Sequence, residues 1–388
     1  MDGLLTDIDA TTTESFEAAA ADFSAKLLKQ THVAGKNSLV SPLSVMLALG
    51  MVASCAEGET HAEIERVLGG LPEGDMHRVL ASIVKHLSQG DTLRLSIAGS
   101  LWLRDTAGLS VSEECVAGIQ SSFKAEIHRA AFDKKTLRKI NTWVLRNTGG
   151  MIRDMLKDID PLALMYLVNA VAFESKWQDP YRDGQTMPGT FTNAQGVAYE
   201  AHFMRSKEAC YLEDDKATGV IRPYAGGRFG FVGIMPKEGV SLEDYVASLS
   251  GESLRSLLGR GEAIEVITGI PRFASDYDIE LNAALKAMGM LRAFDARHAE
   301  FGRLARYQAS EGAPQTLYVS VIHHQTHIEV DEQGTKAAAA TMVESRAASC
   351  APPQPTFKVV VLDRPFVYAV IDVASGLALF VGAINDVR

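Results

Sequence analysis

The sequence predicts an α+β protein, because helical periodicity and cap residues mark the first 150 residues, whereas strand patterning dominates from Leu164 onward. The 388 residues are 47% hydrophobic and 22% charged with a formal charge of −10, which excludes disordered, collagenous and disulfide-scaffold classes. The acidic balance also argues against a nucleic-acid partner, since such proteins carry a basic face. At about 150 residues per domain the length would allow two or three domains, although large mixed units exceed that size. No internal repeat or low-complexity tract is visible.

In chain order, Ser15 to Gln30 reads as an Ala-rich helix with Phe16, Phe23, Leu27 and Leu28 at helical spacing and Ser15 as its cap. Ser41-Pro42 opens an apolar helix running to about Cys55, with Pro42 in the first turn. Thr60-His61-Ala62-Glu63 has the form of a capping box for a helix ending at Gly69-Gly70. Leu93 to Leu103 alternates and reads as a strand, and Ile140 to Thr148 as a helix closed by Gly149-Gly150. Leu164 to Phe173 is apolar except for Asn169, which indicates a strand buried on both faces. A buried Asn must find a partner or cost roughly 1–3 kcal/mol. Further strands are expected at 229–235, 263–273, 317–330, 357–362, 366–373 and 377–384, with a short helix at 281–290.

Enzyme signatures are missing: there is no GxGxxG, Walker loop, GxSxG elbow or HExxH. The histidine cluster His323-His324-Gln325-Thr326-His327 could hold a metal only if helical, because in a strand His323 and His327 lie about 13 Å apart. Its apolar flanks favour a strand, so neither metal nor cofactor is expected. Cys55, Cys115, Cys210 and Cys350 lack CxxC spacing and are expected as free thiols, with Cys350 in an exposed Pro-rich stretch. The first residues show no basic and apolar signal pattern, which points to a cytoplasmic chain, or an extracellular one if this is a mature form. The longest apolar runs, 45–53 and 377–384, are far short of the ~20 residues a membrane span needs.

One segment departs from this frame. Asp331 to Pro353 follows a long strand, yet it holds four consecutive alanines, unlike a polar tether. Read with period two, Thr335, Ala337, Ala339, Thr341, Val343 and Ser345 fall on one side and are all small or β-branched. Lys336, Ala338, Ala340, Met342, Glu344 and Arg346 fall on the other and hold every charge of the stretch. Such a loop can slide between two strands, adding backbone hydrogen bonds on both sides while requiring little core volume.

Glu332-Gln333-Gly334-Thr335-Lys336-Ala337-Ala338-Ala339 resembles the hinge of the reactive-centre loop of inhibitory serpins. Asn37 to Ser44, Gly58-Glu59-Thr60-His61 with Ile64, and Leu167 to Ala170 with Phe173 and Lys176-Trp177 fall in serpin order and spacing. So do Pro271-Arg272-Phe273, Asp363 to Phe366 and Phe380-Val381-Gly382, and the resemblance spans about residues 15–386. It implies a single serpin domain over 1–388: helices around a large central mixed sheet, two smaller sheets, and an exposed reactive-centre loop at about 332–356. Cysteine usage and the N-terminus suit a prokaryotic or intracellular member.

The resemblance also implies the activity, which is suicide inhibition of a serine protease by a monomer that is not itself an enzyme. The protease attacks the loop, an acyl-enzyme forms, and the cleaved loop enters the central sheet as a new strand before hydrolysis completes. By resemblance the hinge comprises Glu332, Gly334, Thr335, Ala337, Ala338, Ala339 and Ala340. Ser41, Ser44, Asn169 and His324 match the shutter that holds two strands which must part, and Trp177 matches the breach at the entry point. Counting seventeen residues from Glu332 places the cut at Ala348-Ser349, and a small residue there suits elastase-like or subtilisin-like pockets. Arg346-Ala347 is the alternative bond and would select trypsin-like enzymes. Thr335 to Ala348 is fourteen residues, or roughly 46 Å of strand. Thr335→Arg is expected to turn an inhibitor into a substrate, because a charge would be buried unpaired.

Near residues 70–90 only His77, Arg78, Lys85 and His86 could form a basic stripe. The alternatives are a non-inhibitory serpin acting as a binding module, disfavoured by the small hinge residues, and a metal-dependent enzyme using the histidine cluster.

Overall fold

The computed structural model describes residues 4–87, 94–308, 316–335 and 357–388. Its first half is built from α1 (Ala10–Thr31), β1 (Ser38–Val40), α2 (Pro42–Ala53), α3 (Gly58–Val67), α4 (Glu73–Leu87), β2 (Arg94–Arg104), β3 (Leu109–Val111), α5 (Glu113–Phe123), β4 (Glu126–Ala130), α6 (Lys134–Asn147) and β5 (Met165–Lys176). Then follow β6 (Thr186–Thr192), β7 (Ala198–Glu208), β8 (Cys210–Glu213), β9 (Ala217–Pro223), β10 (Phe229–Pro236), α7 (Leu242–Ser248), α8 (Gly251–Gly259), β11 (Val266–Pro271), β12 (Phe273–Glu280) and α9 (Asn282–Ala287). The chain closes with β13 (Ala305–Tyr307), β14 (Val321–Val330), β15 (Gly334–Thr335), β16 (Lys358–Val361), β17 (Phe366–Asp372) and β18 (Ala378–Ile384).

The strands form a large mixed sheet in the order β12-β14-β15-β5-β2-β4, a second sheet β1-β18-β17-β10-β9-β8, a four-stranded sheet β16-β11-β7-β6 and a ribbon β13-β3. The expected large mixed sheet is present, and among the described residues the second sheet has as many strands. β5 lies inside the large sheet and is buried over nearly its whole length, as its unbroken apolar run requires. β14 instead alternates, with Ile322, His324, Thr326, Ile328 and Val330 on the buried side.

Helix α2 is buried at every residue, so it is apolar all round where most helices are amphipathic. Ser41 precedes it, yet the Ser41 hydroxyl makes no cap and donates instead to the Leu379 carbonyl at 2.6 Å. Helix α1 begins five residues before the expected Ser15, because Asp9 accepts from the Thr12 N–H. The capping box at Thr60 does not form. Thr60 lies inside α3, the Glu59 and Thr60 N–H groups are capped by the Glu300 carboxylate, and Glu63 accepts from the Leu291 and Arg292 N–H groups. Helix α6 starts at Lys134, with Asp133 as cap, six residues before the expected Ile140.

The cysteine expectation also fails in part. Cys55, just beyond α2, is bonded to Cys115 in α5 with 6.4 Å between Cα atoms, a separation that a disulfide spans without backbone movement. Cys210 is a free thiol, and Cys350 lies outside the described residues. Among the described residues no helix is long and apolar enough to cross a membrane.

Candidate functional site

The site is the seam between β5 and β14. The two strands pair directly in parallel from Val321↔Tyr166 to His327↔Ala172. Above that point they diverge, and the chain leaving β14 turns back so that Gly334 and Thr335 enter the gap. Thr335 pairs with Val330 on one side and Ser175 on the other, and Gly334 pairs with Lys176. Gly334 and Thr335 are therefore already seated in the sheet.

Each partner at this wedge is set by a specific bond. Thr335 is fully buried, and its hydroxyl lies 2.7 Å from the Tyr224 hydroxyl. The Tyr224 ring stacks on Trp177 at 4.6 Å between centroids with an 8° interplanar angle. The Trp177 indole Nε1–H donates to the Asp331 carbonyl at 2.8 Å, while the Trp177 and Tyr181 backbone N–H groups donate to the Gln333 and Glu332 carbonyls. The Asp331 carboxylate accepts from the Gln333 and Gly334 N–H groups, closing the turn, and burial holds this carboxyl above its ordinary value.

Glu332 is bound by the Thr186 hydroxyl at 2.6 Å and by the Arg272 guanidinium. Burial alone would raise its carboxyl, but these hydrogen bonds outweigh it and leave the group below its ordinary value. At Gly334 φ is 153° and an added Cβ would sit 2.0 Å from the Ser175 carbonyl oxygen, so only glycine fits this conformation.

Ser41, Ser44, Asn169 and His324 meet lower in the same seam, about 20 Å below Thr335 by the rise of six residues from Asn169 to Ser175. Asn169 and His324 are paired across the strands. The Ser44 hydroxyl donates to Asn169 Oδ1 at 2.6 Å, and Asn169 Nδ2 donates to the Ser44 carbonyl at 3.0 Å. The Ser41 backbone N–H donates to His324 Nε2 at 3.0 Å, so the proton of the neutral ring resides on Nδ1 and is donated to Asn169 Oδ1 at 2.9 Å. All four residues are buried, and burial pushes the His324 imidazole down to about 3. The buried asparagine thus finds the partners that its place in an apolar strand demands. His323 and His327 lie on the other side of β14, where His327 Nδ1 meets the Asp276 carboxylate at 2.7 Å.

The sequence-predicted residues Glu332, Gly334, Thr335 and Trp177 come together at the wedge, and Ser41, Ser44, Asn169 and His324 at the lower cluster. Ala337, Ala338, Ala339 and Ala340, both candidate bonds Ala348-Ser349 and Arg346-Ala347, and most of the loop lie outside the described residues. Sequence reasoning missed Tyr224 and the buried Arg222–Glu208 pair, whose guanidinium sits 4.9 Å from the Trp177 ring centroid and 4.1 Å from that of Tyr181. Arg272 stood in a quoted motif, but nothing local linked it to Glu332.

The family model described as serpin (serine protease inhibitor) matches residues 18–387. The chain belongs to the serpin family. It is 30% identical over 372 residues to an uncharacterized serpin-like protein of Thermococcus kodakarensis, covering 94% of this serpin and 84% of the relative. Among solved structures it is similar to the native state of tengpin, a thermophilic serpin, with a TM-score of 0.89, 37% identity and coverage of 98% of this chain and 95% of that one. Against latent tengpin the TM-score is 0.84, with 34% identity and coverage of 98% and 99%. These relatives support the prokaryotic placement.

Proposed function

We propose that this serpin is a suicide inhibitor of a serine protease that traps the acyl-enzyme by inserting its cleaved loop between β5 and β14. The observation that carries this reading is Thr335, buried between those two strands while they remain paired from Val321 to His327. Gly334 and Thr335 serve as the hinge, Trp177 with Tyr224 holds the entry, and the Ser41–Ser44–Asn169–His324 cluster holds the seam that must open. Once the loop is cut, the segment after Thr335 extends the two-residue strand downward, and one parallel ladder is exchanged for two antiparallel ones. The small residues of positions 337–341 on the inward side let this proceed without a buried charge.

The cut at Ala348-Ser349 favours an elastase-like or subtilisin-like enzyme, and Arg346-Ala347 a trypsin-like one. Incubation with elastase, subtilisin and trypsin at graded ratios, followed by denaturing gels and mass analysis, tests the proposal. The expected product is an SDS-stable adduct with a released peptide beginning at Ser349, and Thr335→Arg is expected to shift the outcome to free cleaved chain. Clean cleavage without adduct by all three enzymes at every ratio would refute it in favour of a non-inhibitory binding role.

A further inference from the structure

Helix α6 lies over the large sheet, packing Ile140, Trp143 and Val144 against Ala98, Trp102, Tyr166 and Val168 of β2 and β5. Its residues Lys135, Arg138, Lys139, Thr142 and Arg146 recur at helical spacing on one side and face β4, the edge strand of that sheet. Between helix and strand runs a cleft of about 570 Å³. Arg129, Lys135, Arg138, Lys139 and Arg146 line it against a single carboxylate, Glu126. This concentration of cations sits on a chain whose formal charge is −10.

Local pairing does not account for it. Arg129 meets Asp105 at 2.8 Å and Arg146 lies 3.7 Å from Glu126. Lys135, Arg138 and Lys139 are exposed and have no ion pair among the described residues. The cleft wall is aromatic, with His128 stacked on Trp102 at 4.1 Å and 24°. Trp143 also lines the cleft and is 6% exposed.

We infer that the cleft between α6 and β4 binds an oligophosphate, a ligand with two or more linked phosphate groups, held by Arg138, Lys139 and Lys135. Guanidinium forks match phosphate oxygens in pairs, and ammonium groups supply point charge beside them. From Lys135 to Arg146 the cation row extends about 16 Å, which calls for an extended anion instead of a single one. A nucleoside triphosphate and an inorganic phosphate chain share this chemistry. A bound ligand would bridge α6 to the sheet edge, and on the reading that β5 and β14 must part, it would also slow loop insertion.

Two of the chain's three tryptophans, Trp102 and Trp143, border the cleft, so intrinsic fluorescence reports binding directly and without any protease. Titration of the full chain with inorganic triphosphate is expected to give a saturable change that weakens steeply with added salt. The double variant Arg138→Ala/Lys139→Ala is expected to lose at least about tenfold in affinity, equivalent to about 1.4 kcal/mol, while Lys216→Ala, in a turn of another sheet, is unchanged. Both replaced side chains are exposed, and an unaltered melting profile verifies that the variant is folded. ATP binding more tightly than triphosphate identifies a nucleotide as the source, and equal binding identifies the phosphate chain alone. No saturable change up to about 10 mM triphosphate at low salt, or equal affinity in the double variant, overturns the inference. Binding with no effect on adduct formation would sink only its link to loop insertion.

Discussion

Acidification should loosen the seam through one residue, His324. Its ring is fully buried, accepts the Ser41 N–H at Nε2 and gives its Nδ1 proton to Asn169. Adding a proton at Nε2 would set two N–H groups against each other in a buried site, and burial accordingly holds the group down near 3, against an ordinary value of 6.5. Between those two values the unfolded chain binds a proton that the folded chain refuses. Stability therefore falls as pH drops through that window, by about 1.4 kcal/mol per unit, and is unaffected by this group above about pH 7. From pH 6.5, where the unfolded imidazole is already half protonated, to 4.5 the loss is about 2.3 kcal/mol. His32, His128 and His323 are also pushed down by burial and act in the same sense, so the comparison must be made against His324→Gln, which retains their contribution. Urea unfolding of both proteins at several pH values, read as rates where unfolding is irreversible, should give curves that converge by that amount on acidification. Nitrogen-detected NMR of labelled histidine should find His324 neutral, with its proton on Nδ1, at pH 5. Parallel stability curves, or a native-state titration of His324 near 6.5, would refute the assignment.

At the wedge, Tyr224→Phe leaves the Thr335 hydroxyl buried without its 2.7 Å partner, at a cost of about 1–3 kcal/mol. Hydrogen exchange at the Thr335 amide should accelerate as the hinge leaves the sheet, and unchanged protection would show that the bond holds nothing. Gly334→Ala places a methyl group 2.0 Å from the Ser175 carbonyl oxygen, so the same amide should lose protection while the Val321–His327 ladder keeps its own. The Cys55–Cys115 bond closes a loop with a sequence separation of 60, worth about 4 kcal/mol by chain entropy. Cys55→Ser/Cys115→Ser should lower the melting temperature accordingly, and a non-reducing mass measurement of the parent should find those two thiols oxidised.

Legibility in the sequence followed how locally each feature is encoded. β5, β10 and β17 could be read because strands buried on both faces are apolar without interruption, and Asn169 stood out against that background. Helix α5 and the first half of α6 were missed because Glu113–Phe123 buries only Ile119 and Phe123 and Lys134–Lys139 is mostly charged. The capping box at Thr60 misled because the groups that satisfy that helix end come from Glu300, 240 residues away. The disulfide had no spacing signal, since its cysteines meet only once α2 and α5 are packed. Tyr224 and Arg222 carried none either; their roles arise from stacking on Trp177 and Tyr181 across sheets. The hinge was legible as a pattern of small residues, but its entry into the sheet before any cleavage was not, because that depends on where β14 and β5 diverge.

The placement of polar groups along the seam makes a cheap opening possible. A buried hydrogen-bond network is costly to break when its members are left with nothing. Here Asn169, on β5, holds Ser44 through two bonds, and His324, on β14, accepts from the Ser41 N–H, so each strand has its own tie to the start of α2. The only side-chain link in this cluster running directly from one strand to the other is His324 Nδ1–H to Asn169 Oδ1. Parting the strands would break that one bond, and Asn169 would keep its Ser44 partner while His324 keeps Ser41, provided α2 follows neither strand completely. The backbone groups freed from Val321–His327 and Tyr166–Ala172 are those that an incoming strand can satisfy. With Thr335 already paired on both sides at the top, strand addition would proceed downward from a formed nucleus, and the first rung to yield is His327↔Ala172.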